Sequence, residues 1–560
     1  MSRITRLTAL AVKSALLFAL PAFASAQQQP LPLKHTPKPT TPAITVADAM
    51  TRVYIFADDS MLGREAGTIG AQKGTAYIER EARRLGLVPA GDNGTFFQAV
   101  PLYTRVFDAQ SKLSADDTPL VAAQDFFPIH PNGNPKSVDG AQVIYVGNTA
   151  DSATLAPAES ARGKIVLFAG PTARVARRFP GAVAYMIPRP EAGLAQIRNY
   201  VATPSTEMKS KADTGSLPLT LYIPTTSVQK FLGVPIENAR PGTIGRTLRG
   251  RIDFKITDLP ARNVVAILPG SDPALKNQYV AFGAHSDHEG IRALGPLDHD
   301  SVRAFNKAAA KIVVARTGAL PNFPGTGITP EERATIKLNL DSIRGGRPAR
   351  LDSVYNGADD DASGSMGLLE IAEKFSAARV KPKRSLLFVW HTAEEAGLYG
   401  AEYFTDNPTV PRDSIVAQLN IDMIGRGEAE DVPGGGPNYV QLLGSRRLST
   451  EFGDLLEEVN KQPAHSLKLD YTYDASGHPE QYYCRSDHYE YARYGIPIVF
   501  MSTGGHPDYH QLTDEPQYIS YPHMVKVVSL LADVGERVAN LDHRLVVDKP
   551  KPDPKGQCVQ

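Results

Sequence analysis

The chain has 560 residues, which suggests more than one domain, and its 42% hydrophobic content is ample for real cores. Sixty Lys+Arg balance sixty Asp+Glu, so composition offers no electrostatic footprint for nucleic acid. Two cysteines, Cys484 and Cys558, exclude a disulfide scaffold and leave open a single pair or two free thiols.

Residues 1–26 carry Arg3, Arg6 and Lys13, an apolar core from Ala15 to Phe23, and then Ala24-Ser25-Ala26. This pattern is that of a cleaved secretory signal and predicts a periplasmic or secreted protein. The apolar run is too short for a membrane span and contains Pro21. With no other membrane-length segment, no membrane partner is expected after cleavage.

Residues 27–45 read as a Pro-rich linker, and 46–104 as the first part of the main domain. Ala71, Thr75, Ile78, Ala82 and Leu85 recur at steps of three and four, the spacing of one helix face. From 105 to 258 short β-like runs dominate, among them 142–146, 164–168 and 181–187, separated by Gly, Pro and Ser. This stretch has no cluster of metal-ligand residue types and reads as an inserted β-rich module.

Beyond Asn263 strands alternate with helices. Runs at 264–268, 278–283, 386–390, 415–424 and 497–501 are apolar enough to be buried strands, and 363–379 and 525–541 are amphipathic helices. The predicted fold class is therefore α/β, with a mostly parallel central sheet sandwiched by helices. Residues 546–560 read as a flexible tail rich in Lys and Pro.

The chemistry lies where these strands end. His285 follows an apolar run, the position at which open α/β sheets place ligands, and Asp287 stands two residues on, able to orient an imidazole. Gly357-Ala358-Asp359-Asp360-Asp361-Ala362-Ser363-Gly364 puts three acids before a helix. Helix capping accounts for one or two of them, not three beside small residues. Glu394 and Glu395 close a buried strand, where unpaired charge costs several kcal/mol per ion. Asp422 sits within another apolar run, and Tyr509-His510 follows the 497–501 strand. Histidines mixed with carboxylates suit zinc or a similar metal rather than calcium, and five ligands exceed what one catalytic zinc needs.

These motifs resemble the co-catalytic zinc aminopeptidase family, which also includes glutamate carboxypeptidases, glutaminyl cyclases and the transferrin receptor ectodomain. The residues that carry the likeness are Gly-Ala-His-Ser-Asp-His, Gly-Ala-Asp-Asp-Asp-Ala-Ser-Gly, Ala-Glu-Glu-Ala-Gly-Leu-Tyr-Gly-Ala, Asn-Ile-Asp-Met-Ile-Gly and Tyr-His-Gln-Leu-Thr-Asp-Glu. They run in order through 259–545, and the 105–258 module resembles the protease-associated domain often inserted in such enzymes. The resemblance implies two Zn²⁺ ions and a peptide substrate. It makes His285 and Asp422 ligands of one zinc, Glu395 and His510 ligands of the other, and Asp360 the bridge. It makes Glu394 the general base, Asp287 the supporting carboxylate and Tyr509 an oxyanion stabiliser. His288 competes with His285, and Asp359 or Asp361 with Asp360. A long connection, 289–356, departs from compact members of the family and reads equally as surface decoration or as a lid.

Around these residues acids exceed cations: Asp287, Glu289, Asp359, Asp361, Glu394 and Asp514 against Arg426 and Arg485. That balance favours an α-ammonium group, hence an aminopeptidase. A carboxypeptidase, dipeptidase or cyclase on the same scaffold and a metal-free receptor-like ectodomain are the alternatives.

Overall fold

A computed structural model describes residues 31–130, 134–172, 175–209, 216–321 and 323–560. The expected signal at 1–26 lies outside them. Two early helices, α1 (Val46–Phe56) and α2 (Ile69–Arg84), are capped by the side chains of Thr45 and Thr68. Ala71, Thr75, Ile78 and Ala82 form the buried face of α2, as their spacing predicts. The Pro-rich stretch before α1 is packed rather than free: the Thr40 hydroxyl donates to Glu373 at 2.7 Å.

Among the described residues, ten strands form one large sheet. The long strands β1 (Phe97–Phe107) and β2 (Phe254–Leu268) pair antiparallel over their shared length, so the chain leaves this sheet at 107 and, Ser205–Met208 apart, returns at 254. Then come β3 (Tyr279–His285), helices α3 (His299–Thr317) and α4 (Gly364–Ala377), β4 (Ser385–His391), β5 (Ile415–Ile421), β6 (Tyr439–Leu443), β7 (Ile498–Ser502) and helix α5 (Tyr521–Ala539). The order across the sheet is β1-β2-β4-β3-β5-β7-β6, with Ser205–Met208 beside β1 and Lys468–Asp470 beside β6. The central neighbours β4, β3, β5 and β7 are parallel, and antiparallel pairs flank them.

Alternation along β4 shows the sandwich directly. Leu386, Phe388 and Trp390 enter the cluster formed with α1, α4 and α5, while Leu387 and Val389 enter a second cluster with Phe404 and Tyr491 on the other face. Both faces are covered, and all five side chains are fully buried.

Among the described residues, eight further strands between 112 and 251 form a second sheet with its own core, including Ile165, Leu167, Met186, Leu221 and Phe231. Its expected strands appear at Gln142–Asn148, Ile165–Ala169 and Ala184–Arg189. One difference from a cleanly inserted module is that Ser205–Met208 hydrogen-bonds to β1, stitching this segment into the large sheet. The 546–560 stretch, expected to be flexible, is tied back by a Cys484–Cys558 disulfide and by the 93%-buried Gln560.

Candidate active site

Because β4, β3, β5 and β7 run parallel, their C-terminal ends share one edge, and the polar residues that follow them converge there. His285 ends β3, Glu394 and Glu395 follow β4, Asp422 follows β5, and His510 lies in the loop beyond β7. Asp360 comes from the tight 358–363 turn that feeds α4. Small residues are needed here: a Cβ on Gly364 would lie 2.3 Å from Asp361 Oδ1.

Asp360 sits between two histidines. Its Oδ1 is 3.0 Å from His285 Nε2 and its Oδ2 is 3.0 Å from His510 Nε2. On the inner side His285 Nε2 is 3.5 Å from Asp422 Oδ1, and on the outer side His510 Nε2 is 2.9 Å from Glu395 Oε2. The sets His285–Asp360–Asp422, His288–Asp360–Glu395 and Glu289–Glu395–His510 each bring ligand atoms within 4.8 Å of one another. His285 Nε2, His510 Nε2 and Asp422 Oδ1 are buried without a hydrogen-bond partner. Close approach without hydrogen-bond alignment, among desolvated groups, fits cations shared between them. The mixed imidazole and carboxylate donors suit zinc.

The neighbouring aspartates are otherwise engaged. Asp361 accepts from the backbone N–H groups of His285, Gly364 and Met423. Asp359 accepts from Gly425 N at 2.6 Å and faces His506 Nε2 at 3.2 Å. Asp514 accepts from the N–H groups of Asp359 and Asp360, which fixes the turn. Asp287 Oδ1 accepts from Glu394 N and stands 3.8 Å from His285 Nδ1; the nearer oxygen to that nitrogen is the Asp287 carbonyl, at 3.2 Å. His288, the competitor to His285, sets its Nδ1 2.7 Å from Glu395 Oε1. Ser486, which no sequence signal marks, donates to Asp422 Oδ2 at 2.7 Å.

The electrostatics follow from crowding acids in a dry place. Burial pushes Glu394 well above the usual carboxylate range, opposed by His285 and reinforced by Asp422 and Glu395. Burial likewise raises Asp287 to about 7. For His510 burial opposes the charge, but Glu395 and Asp360 overcome it and raise the imidazole to about 11. These carboxylates hold protons on the imidazoles unless a metal takes their place, and metal binding releases such protons.

A cavity of about 380 Å³ opens onto Asp360, Glu394, Asp422, Tyr509 and His510. Its charged lining comprises Asp360, Glu394, Asp422, Asp470 and Glu480 against Arg485. Arg426 is not available to a ligand, being buried between Asp431 and Asp508. The long connection lies over the His510 loop: Arg303 of α3 is 3.3 Å from Asp508, Asn306 donates to Gln511, and Pro321 and Pro324 line the cavity. The Tyr509 ring sits 3.9 Å from that of His510 and stacks on Phe323.

Residues 340–535 match Peptidase family M28. M28 is the co-catalytic zinc peptidase family that the strand-end motifs resemble, and the match spans Asp360, Glu394, Glu395, Asp422 and His510. Leupeptin-inactivating enzyme 1 of Streptomyces exfoliatus is 44% identical over 80 residues, 14% of this chain and 18% of that protein. Leucine aminopeptidase 1 of Arthroderma gypseum is 24% identical over 242 residues, covering 40% of this chain and 60% of that one. The chain thus spans less than two thirds of the length of these curated relatives. Among solved structures, an aminopeptidase from Aneurinibacillus sp. strain AM-1 aligns over 91% of this chain and 97% of its own, with a TM-score of 0.46 and 16% identity. A zinc aminopeptidase from Bacillus subtilis aligns over 88% and 95%, with a TM-score of 0.46 and 15% identity. Among the described residues no helix is long and apolar enough to cross a membrane.

Proposed function

We propose that the protein is a dinuclear zinc exopeptidase that removes N-terminal residues from peptides. The observation that carries this reading is Asp360, whose two oxygens face His285 and His510 at equal distance. His285, Asp422 and Asp360 would hold one zinc, and Glu395, His510 and Asp360 the other. Zinc, when bound, would supply Lewis acidity toward the peptide carbonyl and favour ionisation of water. Glu394, a partly buried residue lining the cavity, takes the proton of the attacking water and returns it to the departing amine. Its raised affinity for a proton suits both transfers. Asp287 holds the Glu394 backbone, and so the base, in place. Tyr509 stands at the cavity wall to donate to the developing oxyanion.

The N-terminal preference rests on charge. Apart from the ligands Asp360 and Asp422, three carboxylates, Glu394, Asp470 and Glu480, and one arginine face the cavity among the described residues, a surplus that attracts an ammonium group. Residues 1–26 would direct the chain to the periplasm or the outside of the cell, and the 105–258 segment would be a protease-associated-like domain.

The test is hydrolysis of one dipeptide in free, N-acetylated and C-amidated forms. N-acetylation should abolish most cleavage and amidation should matter little. Equal rates on the free and acetylated forms, with loss only on amidation, would replace this reading with a carboxypeptidase.

A further inference from the structure

One side of the substrate cavity is made by residues 472–485, which have short turns but no long helix or strand. Tyr473 and Tyr482 of this segment line the cavity, and their rings stack with centroids 5.0 Å apart and planes 15° apart. The His478 ring lies 5.0 Å from that of Tyr473. An irregular segment of this kind needs its backbone groups satisfied from outside.

Much of that support comes from the distant residue Gln560. Its Nε2 donates to the carbonyls of Tyr473 and Ala475 at 3.1 and 3.2 Å. Its Oε1 accepts from Tyr483 N at 3.0 Å, and its own carbonyl accepts from Gly477 N at 3.0 Å. Gln560 is only 7% exposed, unusual for a glutamine so near a Lys/Pro-rich stretch. The Cys484–Cys558 disulfide fixes its approach, bridging a sequence separation of 74 residues. A single side chain therefore grips the loop on both flanks of the tyrosine pair, at Tyr473 and at Tyr483 beside Tyr482.

We infer that Gln560, delivered by the Cys484–Cys558 bridge, is a positioning residue that sets the Tyr473–Tyr482 wall against which the substrate binds. Gln560 touches neither the metal-ligating residues nor the base, so it acts on binding rather than on the chemical step. What the cavity receives rests on the exopeptidase reading above.

The experiment uses the zinc-loaded full chain and three proteins: wild type, Gln560→Ala and Cys558→Ser. KM for a free dipeptide should rise about tenfold, the equivalent of roughly one net hydrogen bond, with kcat and zinc content unchanged. Amide exchange across 473–484 should quicken in both variants. Should either variant fail to fold, the folded wild type is treated with a trialkylphosphine. The phosphine becomes its oxide with the oxygen of one water, whose two hydrogens end on the two cysteine sulfurs, and the same shifts should appear. Unchanged KM and unchanged exchange at 473–484 with the bridge open or Gln560 removed would overturn the inference. If the wild type cleaves no peptide the exopeptidase reading fails, and the exchange measurement still decides whether Gln560 holds this wall.

Discussion

The two sheets are built from the same kind of strand and end in different ways. Ile165, Val166, Leu167 and Phe168 in the 112–251 sheet are as completely buried as Leu386 to Trp390 in β4. The first run continues into Gly170-Pro171-Thr172, turn residues that cost nothing to hydrate. The second continues into His391, Thr392, Ala393, Glu394 and Glu395, the first three buried and both glutamates largely so. Among the described residues, every group able to hold a metal lies beside the large sheet and none within 112–251. Strand burial thus accounts for stability in both places, while charged residues kept dry at a strand end need a further cause, which a bound cation would supply.

The largest expected effect sharpens that contrast at its centre. Asp360→Asn should lose metal and lower kcat/KM by more than the roughly 10–100-fold that loss of a mere supporting partner costs a metal site. Metal analysis alongside rate measurement checks this, and full metal content with near-normal turnover would remove Asp360 from the site.

The adjacent glutamates come next. Glu394→Gln should keep its zinc and lose roughly 10²–10⁴-fold in kcat, the usual weight of proton transfer. Glu395→Gln should instead lose zinc affinity, because its two oxygens meet His288 and His510. Reversed behaviour would exchange the two roles.

In the other sheet Leu167→Ala should cost roughly 2–5 kcal/mol in denaturant unfolding, as deletions in a tight core do. KM and zinc content should not change. Zinc loss in this variant would break the comparison, since the second sheet would then be supporting the metal site.

The last effect is absent at neutral pH and emerges only in acid. His488 is fully buried, stacked on Phe500 with ring centroids 4.4 Å apart, and burial lowers its pKa to about 3. The unfolded chain binds a proton there below about 6.5, whereas the folded chain does so only near 3. The contribution is therefore complete above pH 6.5 and is lost as pH falls through that window. His488→Phe should flatten the acid limb of a stability-against-pH curve, and an unaltered limb would show that His488 does not titrate on unfolding.

Much of this site was legible in the chain because His285, Glu394, Glu395 and Asp422 stand at the ends of apolar runs, where strand burial and charge conflict. The α/β alternation and the buried face of α2 followed from periodicity. What periodicity could not show was which acid in the 359–361 turn faces the histidines. That depends on Asp514, Gly425 and Met423, which meet the turn only in three dimensions. Ser486 and Gln560 carried no local signal either, since their partners lie 64 and as much as 87 residues away. Composition also misjudged the 546–560 stretch: Lys and Pro read as flexible, while one cysteine and one glutamine hold it in place.

The most direct test of the account is the zinc stoichiometry of the purified full chain, measured together with peptide hydrolysis before and after chelation. Two zinc ions per chain, with hydrolysis lost on chelation and restored by adding zinc, is the result that the geometry around Asp360 predicts. Hydrolysis that persists in the fully chelated protein, or one ion per chain at full activity, would contradict a shared centre built on Asp360.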